Sequence, residues 1–433
     1  MKKIINPKRI IWRKFTKRPN INLKELDDTV NKVFNAVKEN GDEALKKFTL
    51  LYDKTVVNNF RISEHELIVA GENLAAELKD AINLAKNNIE KFHVSQKTRK
   101  KIVETTNGVE CWQESRPIEK VGLYIPGGSA PLFSTVLMLG VPAVISGCKE
   151  ITLCTPPNKN GDIHPAILYT ANLIGIKNVF KVGGIQSIAA MTFGTETVPK
   201  VYKIFGPGNR FVTAAKQTAF MNGVAIDMPA GPSELLILAD KTTNPSFVAA
   251  DLLSQAEHGK DSQVICVVNN LELMTAIENE VEKQLNELPR KNIAEVSIQN
   301  SQLIYFDKKK DIIDFINEYA PEHFILSVQK EDENYYIGNL NNAGSVFIGK
   351  YTPESAGDYA SGTNHTLPTN GYAKTYGGIN LDSFNKKISF QRISKKGISN
   401  IGSVIEIMAE AESLQAHKNA ITIRLKSIKN ETN

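Results

Sequence analysis

The sequence predicts an α/β protein: two α/β units with mainly parallel sheets, preceded by an N-terminal helical region and followed by a small C-terminal helical segment. Three observations carry this. The chain has 433 residues, long enough for more than one domain with a substantial core. From about residue 120, short β-rich runs alternate with helical segments, as in parallel sheets covered by helices. Before that point, apolar residues recur at helical spacing. A hydrophobic fraction of 42% and a charged fraction of 23% are those of an ordinary globular chain, which removes the disordered and fibrous classes.

The opening stretch "MKKIINPKRIIWRKFTKRPN" is basic, lacks acids and has no apolar run of the secretory kind. It predicts a solvated basic arm over 1–19. From Asn20 to about Gln96 the pattern is helical, as in "LDDTVNKVFNAVKENGDEALKKF", and Ser63 followed by Glu66 forms a capping box at the start of a second helix. Strands are predicted at "KVGLYI", "EITLCT", "NVFKVGG" and "VYKIF", and then at "ELLILAD", "SQVICVV", "QLIYFD", "FILSV" and "GSVFIG". The turn-rich segments "GGSAP" and "MPAGPSE" read as connections, the second marking a boundary between α/β units near Pro229–Ser233. A long loop, "GKYTPESAGDYASGTNHTLPTNGYAKTYGG", follows Ile348, and loops of that length are usually functional or disordered. A helical stretch over about 402–427 ends the chain. These readings give an arm at 1–19, a first α/β domain from 20–123 and 233–379, a second from 124–232, and a C-terminal segment at 380–433.

Several function classes lose support. A net charge of +5 suits an anionic cofactor without demanding nucleic acid, and no zinc-finger spacing or long basic block is present. The longest apolar candidate, "VLMLGVPAVISG", is short and broken by Gly and Pro, so no transmembrane helix is predicted. Cys111, Cys148, Cys154 and Cys266 form no CxxC pair, which argues against a thiolate zinc site and fits a reducing, cytoplasmic setting. Nothing near Cys111 or Cys148 would lower a thiol pKa, so neither reads as a nucleophile.

Four constellations could carry chemistry. In "DLLSQAEHG" a helix beginning near Asn244 and Pro245 brings Gln255 and His258 to one face and is expected to end at Gly259. In "YAPEHF" Glu322 and His323 set a carboxylate beside an imidazole, a ring that titrates near neutral pH. This pair precedes its strand, whereas ligands of open parallel sheets usually lie beyond strand carboxyl ends. In "SAGDYASGTNHTLPT" Asp358 and His365 stand among small residues that let a backbone approach a ligand. In "AEAESLQAHKNA" Glu412 and His417 lie on a late helix. The Gly-containing turns in "VGLYIPGGSAP", "VGGIQSIAAMTFGT" and "IFGPGNRFVTAAK" each open a helical segment and aim backbone N–H groups at an anion, though none is GxGxxG. Residue chemistry alone leaves three readings open: a dehydrogenase, a zinc hydrolase working without nicotinamide, and a metal-stabilised binding protein.

Taken in order, "GLYIPGG", "VGGIQSIAA", "FGPGN", "DMPAGPSE", "DLLSQAEHG", "YAPEHF", "SAGDYASGTNHTLPT" and "AHKNA" closely resemble the histidinol dehydrogenase family over about residues 120–420. The resemblance implies two Rossmann-like units and a homodimer whose sites are shared between subunits, the C-terminal segment coming from the partner. It implies oxidation of L-histidinol to L-histidine through an aldehyde, with one zinc per subunit and two NAD consumed. It assigns Gln255, His258, Asp358 and His417 as zinc ligands and Glu322 and His323 as the acid–base pair. Ser233, His365 and Glu412 would contact substrate together with Gln255, His258, His323, Asp358 and His417. Tyr124, Gln186 and Asn209 would contact NAD.

Overall fold

The fold is taken from a computed structural model that describes residues 1–18, 26–127, 131–229 and 231–432. The expected start of the helical region at 20–25, the centre of the "GGSAP" turn and Ala230 of "MPAGPSE" lie outside the described residues. In chain order the elements begin with β1 (Lys2–Ile5), α1 (Arg13–Thr16), α2 (Asp27–Tyr52), α3 (Glu64–Val69), α4 (Ala76–Val94), β2 (Ile102–Thr106) and β3 (Val109–Pro117). The next group is β4 (Lys120–Tyr124), α5 (Phe133–Ser146), β5 (Glu150–Thr155), α6 (Pro165–Leu173), β6 (Asn178–Lys181), α7 (Gly184–Phe193), β7 (Lys203–Phe205), α8 (Arg210–Met221) and β8 (Ala225–Ile226). Then come β9 (Glu234–Ala239), α9 (Pro245–Ala256), β10 (Gln263–Val268), α10 (Leu271–Glu287), α11 (Lys291–Gln299), β11 (Gln302–Tyr305), α12 (Lys309–Tyr319), β12 (His323–Ser327), α13 (Lys330–Asn339), β13 (Ser345–Ile348) and α14 (Glu354–Tyr359). β14 (Asn385–Ile393), α15 (Lys395–Ala411) and α16 (Gln415–Thr432) close the chain.

Two compact units result, one from residues 1–95 and 118–384, the other from 96–117 and 385–433. The larger holds two parallel sheets. The first has the order β1-β11-β10-β9-β12-β13 and the second β6-β5-β4-β7-β8. Their central strands read as continuous apolar runs because helices cover both faces. On β9, Leu235 and Ile237 pack into one core while Leu236 and Leu238 pack into another, all buried. α9 starts as its sequence dictates: the Asn244 side chain accepts from the Ser246 N–H and Pro245 occupies the first turn. The Ser63–Glu66 capping box also forms in full. No helix among the described residues is long and apolar enough to cross a membrane.

Four features differ from expectation. The basic N-terminus is built into the molecule instead of lying in solvent: β1 pairs with β11 from Lys2↔Gln302 to Ile5↔Tyr305. Trp12 follows, buried, donating to the Pro7 carbonyl at 2.8 Å and meeting Phe306 and Phe315 edge-on. Burial of one indole outweighs the solvation of its charged neighbours, which stay outside. α9 stops at Ala256, three residues before Gly259, leaving His258 in the following turn. The C-terminal helical stretch is two helices, broken where Ser413 takes φ +59°. Finally, β2 and β3, within the 96–117 stretch read as part of the first domain, join an antiparallel sheet of the smaller unit, β3 pairing with β14 on one side and β2 on the other.

Candidate active site

The carboxyl ends of the second sheet frame a cavity of about 710 Å³, lined by Tyr124, Thr155, Pro156, Gln186, Asn209 and Asp53 among others. That size falls within the ordinary range for a cofactor or small-molecule site. Tyr124 ends β4, and its hydroxyl accepts from the Gly184 N–H at 3.3 Å, where α7 begins. Asn209 caps α8, its Oδ1 accepting from the Phe211 and Val212 N–H groups at 3.0 and 3.2 Å. Two helix N-termini thus flank the cavity and favour an anion there. Gln186 is buried and donates to Asp53 at 3.2 Å, while its Oε1 has no partner. Burial pushes the Asp53 carboxyl up to about 6 and the Tyr124 phenol up to about 12. The turn after β7 needs glycine: Gly206 has φ +132°, and a Cβ there would lie 2.1 Å from the Tyr124 carbonyl oxygen. A buried Lys216–Asp227 ion pair brackets that turn, Lys216 donating to the Gly206 carbonyl at 2.9 Å and Asp227 accepting from its N–H at 2.8 Å.

The second assembly forms at the amino ends of β9 and β12. Glu322 and His323 are buried, with 6% and 4% of their surface exposed. The Glu234 N–H donates to Glu322 Oε2 at 2.8 Å, and the Glu234 carbonyl lies 3.1 Å from His323 Nδ1. A carbonyl only accepts, so Nδ1 carries the proton and in the neutral ring Nε2 holds the free lone pair. Nε2 has no hydrogen-bond partner and faces Asp358 Oδ1 at 3.6 Å. Gln255 lies on the same Nδ1 side, its Nε2 donating to the Glu234 carbonyl at 3.4 Å and its Oε1 buried without a partner. Glu354, one helical turn before Asp358 on α14, is buried with an unpartnered Oε2. Ligand atoms of His323, Glu354 and Asp358 all lie within 4.8 Å of one another.

Charge dominates this cluster. Burial depresses the His323 imidazole, but Glu354, Glu322 and Asp358 outweigh it and hold the ring well above its usual range. Burial pushes Glu354 up to about 8 and Asp251 up to about 7. For Asp358 the neighbouring His323 outweighs burial and keeps the carboxyl below its usual range. Several carboxylates around unpartnered Gln255 Oε1 and His323 Nε2 form a set of hard oxygen and imidazole donors that fits a divalent cation. The two regions meet through His365, whose Nδ1 lies 3.0 Å from the Asp358 carbonyl and whose Nε2 lies 3.2 Å from Thr135 Oγ1, on the helix that follows the cavity wall at Pro131. Burial lowers the His365 imidazole.

The structure therefore brings Gln255, Glu322, His323, Asp358 and His365 together and sets Ser233 immediately before Glu234. His258 is exposed in the turn after α9, near enough to Asp358 to affect its charge. Tyr124, Gln186 and Asn209 line the cavity. Glu412 and His417 lie in the smaller unit, exposed, Glu412 at the end of α15 and His417 on α16. The sequence reading missed Glu354 and Asp53. Glu354 was signalled by its four-residue spacing from Asp358, which puts two carboxylates on one helix face; Asp53 offered no local signal. Cys148 is no nucleophile, since burial pushes its thiol up to about 12.

Comparison with known proteins agrees along almost the whole chain. The family model described as histidinol dehydrogenase matches residues 16–425. The histidinol dehydrogenase of Bacteroides fragilis (strain YCH46) is 55% identical over 429 residues, covering 99% of this chain and 100% of that protein. That of Escherichia coli (strain K12) is 50% identical over 422 residues, covering 97% and 96%. The crystal structure of histidinol dehydrogenase from Elizabethkingia anophelis superposes with a TM-score of 0.97 at 57% identity, covering 99% of each chain. On this evidence the chain belongs to the histidinol dehydrogenase family of oxidoreductases.

Proposed function

We propose that this chain oxidises L-histidinol to L-histidine through the bound aldehyde, using zinc and two NAD. The observation that carries the reading is the buried Glu322–His323 pair, whose free Nε2 faces Asp358 beside an orphaned Gln255 Oε1. Gln255, His258 and Asp358 would hold the zinc, with His417 completing the set from a partner subunit. When bound, the ion supplies positive charge that anchors the imidazole-bearing substrate and offsets the carboxylates around His323. NAD would occupy the cavity bounded by Tyr124, Gln186 and Asn209, where it supplies the two-electron acceptor.

The chain's own residues then handle protons and position. In the neutral ring, which the ion's positive charge would favour, His323 would accept the substrate hydroxyl proton at Nε2, with the Glu234 carbonyl holding the proton on Nδ1. Glu322, held by the Glu234 N–H, takes a proton from the water that adds to the aldehyde. His323 accepts a proton again in the second oxidation. Ser233, His365 and Glu412 would hold the substrate's polar ends, and a fixed near-attack geometry contributes several kcal/mol. Val404, Ile407 and Met408 are exposed on α15, an apolar surface that supports a homodimer in which sites are shared.

One assay tests the reading: NADH absorbance with histidinol, with and without chelator. The expected result is about two NADH per histidinol, from the four-electron oxidation of an alcohol to a carboxylate, and loss of activity on chelation. One NADH with aldehyde release, or hydrolysis without NAD, would refute it.

A further inference from the structure

The N-terminal segment has no part in the chemistry described above, yet it reaches the acid–base pair. Arg18 places its guanidinium against the buried Glu234 carboxylate, Nε to Oε1 and Nη2 to Oε2, both at 2.8 Å. Nη2 also donates to the main-chain carbonyls of Tyr319 at 2.6 Å and Ala320 at 3.2 Å. The guanidinium carbon sits 3.9 Å from the centre of the Tyr319 ring. These partners flank the reacting side chains on both sides. Glu234 holds Glu322 with its N–H and His323 Nδ1 with its carbonyl. Ala320, at φ +53°, forms the left-handed turn that leads through Pro321 into Glu322.

We propose that Arg18 is a positioning residue for Glu322 and His323, acting through Glu234 and the 319–320 turn. The inference rests on the reading that this pair carries the oxidation. Its physical basis is that Glu234, only 1% exposed, requires a charge partner. A planar fork satisfies both carboxylate oxygens and reaches the two carbonyls at once, which a lysine ammonium cannot do. Losing the fork frees both the start of β9 and the turn before β12, and with them the distances between Glu322, His323 and substrate.

The test compares Arg18→Lys, Arg18→Met, Glu234→Gln and the Arg18→Met/Glu234→Gln double variant in the full chain. Arg18→Met is expected to lower kcat for NADH formation roughly ten-fold or more while KM for histidinol stays within about two-fold, the signature of misplaced chemistry. Arg18→Lys should recover part of the loss. The double variant should lose no more than the worse single, because the two residues act as one unit. Hydrogen exchange of the peptide spanning 319–326 should quicken about ten-fold in Arg18→Met. Faster exchange with unchanged kcat, a KM rise without loss of kcat, or additive losses in the double variant would overturn the proposal. If Arg18→Met does not fold, Glu234→Gln must show the roughly ten-fold kcat loss and Arg18→Lys a smaller one, both with melting temperatures near that of the parent. If the parent chain does not oxidise histidinol, the functional reading fails by itself; unchanged exchange in Arg18→Met or Arg18→Lys would then still refute the linkage.

Discussion

The two parallel sheets of the larger unit use opposite ends. The second sheet places its cavity at the strand carboxyl ends, where helix N-termini α7 and α8 converge, the usual position for ligands of open parallel sheets. The first sheet gathers Glu322, His323 and the Glu234 backbone at strand amino ends instead. Under the proposed function the difference would have a chemical cause. A pyrophosphate needs backbone N–H groups and a positive helix terminus, which carboxyl-end turns provide. A proton-transfer pair needs rigid side chains and fixed tautomers, and strand starts flanked by buried carboxylates provide those. The first sheet also gathers Asp358 and Glu354 from α14, the helix beyond β13, beside His323.

The comparison can be broken most sharply at His323. His323→Asn should slow both oxidations on the order of a hundred-fold or more, whereas Glu322→Gln should mainly block the second. NADH formation from histidinol and from the aldehyde would separate these, and equal losses in both steps for Glu322→Gln would end the assignment of distinct roles. Next in size is a core change. Ile237→Ala in the central strand β9 removes a fully buried side chain and should cost about 3 kcal/mol in denaturant unfolding. Asn209→Ala should cost about 1 kcal/mol as a lost helix cap and raise KM for NAD roughly ten-fold, leaving KM for histidinol alone. A change in histidinol KM instead would show that the two sheets do not divide their labour.

The smallest expected effect is at Asp53, whose carboxyl burial raises from 3.8 to about 6. A raised folded-state value favours the protonated form, so its stabilising contribution is complete below about pH 4 and is lost as pH rises through about 6. Asp53→Asn should therefore match the parent chain at low pH and exceed it at pH 8 by up to roughly 1 kcal/mol, a figure reduced because the group is partly solvated. Thermal melts at the two pH values would read it.

Most of the larger unit was legible in the sequence because its signals are local. The strands from β4 to β7 and β9 to β13 appear as apolar runs, and α9 announces itself with Asn244 and Pro245. The site was legible only as scattered dipeptides until several long motifs were read in one order. What stayed hidden depends on distant partners. β1 has four residues and acquires meaning only from a strand 300 residues away, and β14 only from β3. Trp12 looks like part of a charged tail until Phe306 and Phe315 enclose it. Arg18 is one cation among many in the opening segment; its role needs Glu234 and the carbonyls of Tyr319 and Ala320.

That long separation bears on synthesis. Lys2 pairs with Gln302, so β1 waits for its neighbour while 300 residues are translated. At ~5–20 residues per second the delay is about 15–60 s. The whole of the second sheet, β4 to β8, emerges in that interval. β1 is short and begins Lys2-Lys3, a charged ribbon that resists pairing with other nascent chains. Closure of the outer edge is thus a late event, and Arg18 can reach Glu234 only after more than half of the polypeptide exists.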